Sequence, residues 1–135
     1  MWGAYRCTGA TNRSLIDNLW RAGIITDKEV RSALLSVDRK NYCRSPATAY
    51  DDAPQPIGWS ITISAPHMHA RALQEMRQYL RPGCRALDVG SGSGYLTAAM
   101  ASLVGPNGCA TGIDHVEELV EWSQKNVKRD GKQKV

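Results

Sequence analysis

Apolar residues recur at helical spacing in the first third of the chain. In "TNRSLIDNLWRAG", Leu15, Ile16, Leu19 and Trp20 share one face and Gly23 supplies a stop, so the spacing predicts a helix from Thr11. "TDKEVRSALLSVDR" carries a second stripe of Val30, Ala33, Leu34 and Val37, with Thr26 and Glu29 at capping-box spacing ahead of it. Residues 41–58 are rich in turn formers and read as irregular. "WSITIS" then alternates, which suits a short strand from Trp59 to Ile63. Pro66 fits the first turn of a helix whose apolar face is Met68, Ala72, Leu73, Met76 and Leu80. "RPG" at 81–83 ends it.

The period changes after residue 84. Residues 85–89 read as a buried strand, 94–104 as a helix, "GPNG" at 105–108 as a turn, and 109–113 as a strand ending at Asp114. The last helix starts near His115, with Val116, Leu119, Val120 and Val127 as its stripe. Glu117 and Glu118 in its first turn, and Lys125 and Lys128 near its end, both oppose the helix dipole. This β-α-β-α order predicts an α/β fold with a parallel sheet, behind a helical and irregular N-terminal segment.

Composition narrows the classes. With 135 residues, 42% hydrophobic and 22% charged, the chain reads as one soluble globular domain. No apolar run approaches the ~20 residues that span a bilayer, and "MWGAYRCTGATNRS" lacks the apolar region of a secretory signal. Membrane partners are therefore not expected. Cys7, Cys43, Cys84 and Cys109 are scattered without a C-x-x-C pair, so reduced thiols in a cytoplasmic protein are expected, with neither zinc nor a dithiol motif. The net charge of +4 raises nucleic acid as a partner, but four of the 17 basic residues lie in the last eight, "KRDGKQKV". No aromatic residues interleave with them, so a solvated tail is the better reading and no nucleic-acid partner is expected.

The chemistry concentrates in "ALDVGSGSGYLTAAMAS". Gly90, Gly92 and Gly94 follow a strand and open a helix, where glycine allows φ > 0 and lets a ligand touch the backbone. Free amides at the helix start could receive a phosphate or another polar group. The spacing is G-x-G-x-G with Asp88 at the strand end, against G-x-G-x-x-G for the dinucleotide fingerprint. A carboxylate beside the loop repels pyrophosphate and welcomes an ammonium or sulfonium group. S-adenosylmethionine carries both and has no phosphate. Asp114, 20 residues past Gly94, can accept hydrogen bonds from both ribose hydroxyls. A nicotinamide oxidoreductase is the weakest alternative, because Asp88 and the third glycine are wrong for it.

"YDDAPQPIGWSITISAPHMHA", "ALDVGSGSGYLTA" and "GIDHVEELV" together resemble the protein-L-isoaspartate (D-aspartate) O-methyltransferase family, from about residue 11 to 130. "TISAPHMHA" is the most specific of these segments and weighs against methyltransferases of other substrate classes. The resemblance implies an S-adenosylmethionine-dependent methyltransferase fold, Rossmann-like and doubly wound. It implies methyl transfer to the free α-carboxylate of isoaspartyl and D-aspartyl residues in damaged proteins and peptides, a repair reaction, by an enzyme that is monomeric when full length.

Position by position, the resemblance makes Ser64 the active-site serine and places Ile61, Thr62 and Ile63 on a strand over the cofactor. His69 becomes a cofactor-proximal histidine, and Ser93 a loop residue near the methionine portion. Asp88, Gly90 and Gly92 fall in the cofactor loop and Asp114 is the ribose acid. The chemistry of the residues agrees: a carboxylate with a pKa near 4 is already an anion and needs no general base, so a hydroxyl such as Ser64 has only to orient it. Alternatives stay open at several positions. Ser64 could instead cap the helix that Pro66 begins. His115 could border the adenine or simply lie at the surface. Trp59 reads as core rather than as a stacking platform. His67 and His69 are i, i+2, on different helical faces, so no metal site is expected.

The family's sheet continues through further strands. Residues 1–135 are therefore expected to form a single, incomplete methyltransferase domain, truncated on its C-terminal side. Residues 1–80 would be a helical, substrate-side segment and 81–135 the first β-α-β-α unit. Such a chain is expected to be inactive when isolated. The alternative is a non-catalytic remnant that binds cofactor, substrate or a full-length homologue.

Overall fold

The computed structural model describes residues 7–132. The residues that would hold a secretory signal lie partly outside that range, as do the last three of the basic tail. Among the described residues no helix is long and apolar enough to cross a membrane.

Helix α1 (Asn12–Arg21) opens with a capping box in which Thr11 and Ser14 exchange hydrogen bonds, and buries Leu15, Ile16 and Leu19. Helix α2 (Lys28–Ser36) buries Val30, Ala33 and Leu34. Its cap is Asp27, not Thr26: the Asp27 carboxylate accepts from the amides of Glu29 and Val30. A carboxylate reaches two amides at once and carries the charge that the helix start favours, which outweighs the box spacing.

The stretch read as irregular is more ordered than its composition suggests. It holds two 3-10 turns, Arg39–Tyr42 and Pro46–Thr48, and then strand β1 (Gln55–Gly58). β1 pairs antiparallel with β2 (Ile61–Ile63). Trp59 and Ser60 therefore form the hairpin turn rather than the start of a strand, with φ of 52° and 56°. Trp59 is 44% exposed, which corrects its reading as core. Its ring lies 5.3 Å from the guanidinium of Arg44, which also sits 3.8 Å over Trp122.

Helix α3 (Pro66–Met76) buries His69, Ala70 and Leu73, while Met68 is exposed. Strand β3 (Arg85–Val89), helix α4 (Tyr95–Val104), strand β4 (Cys109–Ile113) and helix α5 (Glu117–Arg129) follow in the expected order. β3 and β4 pair in parallel, from Arg85 opposite Cys109 to Val89 opposite Ile113. The hairpin is a separate sheet.

The expected burial of β3 is inverted. Asp88 is its buried residue, whereas Leu87 and Val89 are 60% and 73% exposed. Side chains alternate across a strand, and helix α4 packs on the Asp88 side, where Thr97 meets Asp88. The two halves of the chain are joined at Asp130. Its carboxylate accepts from the Tyr42 hydroxyl (3.0 Å), the Asn41 side-chain amide (2.8 Å) and the backbone amide of Asp38 (3.2 Å).

Candidate active site

Gly90, Gly92 and Gly94 all have positive φ (82°, 54° and 88°), so the chain can turn sharply between β3 and α4. At Gly94 the absence of a side chain also admits α5: a Cβ there would lie 3.3 Å from Cβ of Ser123.

Four of the loop amides are already engaged within the fold. Those of Gly90 and Ser91 donate to the carbonyl of Ile113 (2.8 and 3.0 Å), and that of Gly94 to Ser91 (2.9 Å). The Gly92 amide donates to Oδ2 of Asp114 at 3.0 Å. Oδ1 of Asp114 accepts from the amide of Val116 at 3.2 Å. A fixed carboxylate thus stands where a phosphate-binding loop would offer donors.

Burial pushes the Asp114 carboxyl up, but the amides of Gly92, Val116 and His115 outweigh it and hold the group below the usual range. Asp88 goes the other way. Its Oδ2 accepts from the Thr97 hydroxyl at 2.7 Å. Burial raises its pKa, the Thr97 hydroxyl opposes the rise, and the negative charge of Asp114 adds to it.

The hairpin lies over this loop. Cδ1 of Ile57 on β1 is 3.5 Å from where a Cβ on Gly92 would stand. In the paired strand Ile63 is buried, Ile61 partly so, and Thr62 is exposed. Ser64 is half-buried. Its alternative role as helix cap does not hold: Ala65 occupies that position and no side chain caps α3. The backbone carbonyl of Ser64 accepts from Nη2 of Arg39 at 2.6 Å.

His69 is 9% exposed. Its Nδ1 lies 3.2 Å from Nη1 of Arg39, and its ring centroid is 5.0 Å from that of Tyr95, the first residue of α4. Burial, and then the Arg39 charge, push its pKa down to about 3, so the ring is neutral and Nδ1 accepts from the guanidinium. Ser93 is buried, and its carbonyl accepts from Asn126 at 3.1 Å. His115 is exposed beside Asp114, with 3.5 Å between Nδ1 and Oδ1. His67 is structural: its Nδ1 pairs with Asp52 at 2.7 Å, and its amide donates to the same carboxylate. Among the described residues no group of acids, histidines or cysteines could hold a metal ion.

Four supporting residues escaped the sequence reading: Thr97 on Asp88, Asn126 on Ser93, Arg39 behind Ser64, and Gly112. A Cβ on Gly112 would lie 2.7 Å from Cβ of Ser91, so only glycine lets the loop close onto β4. Its one sequence signal was a glycine two residues before the strand-end acid. A cleft of about 770 Å³ between Asp27, Gln74, Arg77 and Arg81 is away from this loop. Its Asp27 is already committed to capping α2 and to the ion pair with Arg77.

A glycine turn closed by a strand-end acid on a parallel β-α-β unit defines a Rossmann-like binding fold whose loop suits a cationic rather than a phosphorylated ligand. The family model for protein-L-isoaspartate(D-aspartate) O-methyltransferase matches residues 10–135, and the chain belongs to that family. A Caenorhabditis elegans protein-L-isoaspartate O-methyltransferase is 49% identical over 126 residues, 93% of this chain and 55% of the relative. Protein-L-isoaspartate O-methyltransferase 1 of Arabidopsis thaliana is 49% identical over 86% of this chain and 50% of its own length. The chain therefore spans about half the length of the curated relatives it matches.

A solved Plasmodium falciparum chain, described as a protein-L-isoaspartate O-methyltransferase in complex with S-adenosyl-L-homocysteine, superposes with a TM-score of 0.84 at 44% identity. The match covers 90% of this chain and 57% of that one. The fold is thus that of the family's methyltransferases.

Proposed function

We propose that this chain holds S-adenosylmethionine and presents Ser64 to the free α-carboxylate of isoaspartyl and D-aspartyl residues in damaged proteins, as part of a protein carboxyl methyltransferase. The observation that carries the reading is the pairing of Asp114 with the Gly92 amide. It sets a negative charge against the loop at Gly92, which disfavours pyrophosphate and favours a ligand with ammonium and sulfonium groups.

The residues present fit that ligand. Asp114 retains lone pairs for ribose hydroxyls, Asp88 adds a second acid, and Gly90 opens on free space, with no atom within 4 Å of where its Cβ would be. When bound, the cofactor supplies an electrophilic methyl group on sulfur. The chain's own residues then have a positioning task. The attacking carboxylate is ionised at neutral pH, so Ser64 need not remove a proton. Its hydroxyl donates to one carboxylate oxygen and leaves the other to attack. The hairpin covers the loop at Gly92 through Ile57. Four free thiols, two of them buried, support a reducing, cytoplasmic setting.

Calorimetric titration with S-adenosylhomocysteine and with NAD tests the reading. Binding of S-adenosylhomocysteine alone is expected. With it bound, an isoaspartyl peptide should bind in preference to its aspartyl isomer. Preference for NAD, or no discrimination between the peptides, overturns it.

A further inference from the structure

Arg39 is fully buried, at 0% exposure, on the 3-10 turn that follows α2. Nη2 donates to the carbonyl of Ser64 and Nη1 to Nδ1 of His69. Its Cζ lies 5.0 Å over the ring of Tyr95, and its Nε has no partner among the described residues. No described carboxylate forms an ion pair with it. The acids nearby are committed elsewhere. Asp38 takes the Tyr50 hydroxyl and the Lys40 amide, and Asp130 takes Tyr42, Asn41 and the amide of Asp38.

A buried cation without a counter-ion is costly, and an apolar side chain of similar volume would fill the space without that cost. The charge therefore needs a reason outside the resting fold. What it touches is the backbone of Ser64, the ring of His69 and the face of the Tyr95 ring. The first two accept its hydrogen bonds and the Tyr95 ring lies against its face, but none of the three carries a negative charge.

We propose that Arg39 is a positioning residue that makes the Ser64 position selective for an anionic carboxylate. The inference rests on the reading of Ser64 as the place of the substrate carboxylate. Acting through the Ser64 carbonyl, the guanidinium fixes the backbone that carries the hydroxyl. Its field is little screened in this interior and favours a negative group on the far side of that residue. By occupying Nδ1 it also keeps His69 neutral, with the ring proton on Nε2. A substrate carboxylate would thus supply the missing counter-charge without a direct ion pair. Its nucleophilic oxygens stay free of the strong bidentate contact that an exposed arginine would make.

Acetate and its neutral isostere acetamide test this without relying on methyl transfer. Each is titrated into the 135-residue chain while the amide resonances of Ser64 and Ala65 are followed by NMR. Acetate should bind about tenfold more tightly than acetamide, the scale of one hydrogen bond to a charged group. Arg39→Met should erase the preference and Arg39→Lys should keep most of it. The nitrogen resonances of His69 should report a bare Nδ1 in the wild type and a mixture of tautomers in Arg39→Met. If the start of α3 alone drew the acetate, the preference would persist in every variant, so preference retained in a folded Arg39→Met overturns the proposal. Equal binding of both probes by the wild type does the same. If Arg39→Met does not fold, Arg39→Lys decides, because losing the preference while keeping the charge and fold refutes it. Acetate selectivity together with indifference to isoaspartyl peptides would sink the enzymatic reading and leave the role of Arg39 standing.

Discussion

At Asp114 both carboxylate oxygens already hold backbone amides, one from the glycine loop and one from the start of α5. Replacing it with alanine therefore removes a loop anchor as well as the proposed ribose acceptor. Asp114→Ala is expected to weaken S-adenosylhomocysteine binding by about 1.5–3 kcal/mol, the range for hydrogen bonds to a charged group. Calorimetry on both proteins measures this, and urea unfolding of the same preparations separates a contact from a collapsed loop. Equal affinities would remove Asp114 from the site. Asp88 and Asp114 stand out in the sequence because each lies next to a strand end and two residues from a glycine. Arg39 could not be. It meets Ser64 across 25 residues and His69 across 30, a relation that no local spacing encodes. Ser64 was visible only through a resemblance, and chemistry alone left it divided between a cap and a site.

Among the elements, the helices with clean apolar stripes, α1, α2 and α5, could be read from the 3.6-residue period, and β3 and β4 from short apolar runs bounded by turns. β1 was missed because Pro56 and Gly58 argue against a strand, and it exists by pairing with β2. Its turn, Trp59-Ser60, lacks the Asn-Gly signal that announces a two-residue hairpin. Both turn residues nevertheless take left-handed φ, where a Cβ costs roughly 1–2 kcal/mol. The stack of Arg44 against Trp59 and Trp122, and the hydrogen bond from Nε of Arg44 to the carbonyl of Ile57 at 3.0 Å, hold the turn in place. Ser60→Gly relieves the strain at one position and leaves that stack intact. The greater freedom of glycine in the unfolded chain offsets part of the gain. The expected net effect is a stabilisation of up to about 1 kcal/mol, read as a shift in the urea midpoint. Destabilisation would mean that the serine hydroxyl, not the backbone, sets the turn.

For the whole molecule, the centre of the fold is where pH and stability meet. The His69 ring is buried between the Arg39 cation from the 3-10 turn and the Tyr95 phenol from α4. Its folded pKa is about 3, against an ordinary value of 6.5. As pH falls below 6.5 the unfolded chain takes up this proton and the native chain does not, so the unfolded state is favoured. The contribution of the neutral ring is therefore fully present above pH 6.5 and is lost progressively as pH falls towards about 3, by at most about 1.4 kcal/mol per pH unit. Burial raises the pKa of Tyr95, so it stays neutral throughout this window. The lowered carboxyls of Asp17, Asp27 and Asp114 add a loss of the same sign, but only near and below pH 4, where unfolded carboxylates protonate. Asp88, raised by burial, opposes them there. Between pH 7 and pH 5 the difference between the wild type and His69→Gln should therefore isolate one group. Urea unfolding across that range should show the wild type losing stability more steeply than the variant. Parallel profiles would mean that the imidazole takes up its proton in the native state, which the Arg39 guanidinium against Nδ1 does not permit.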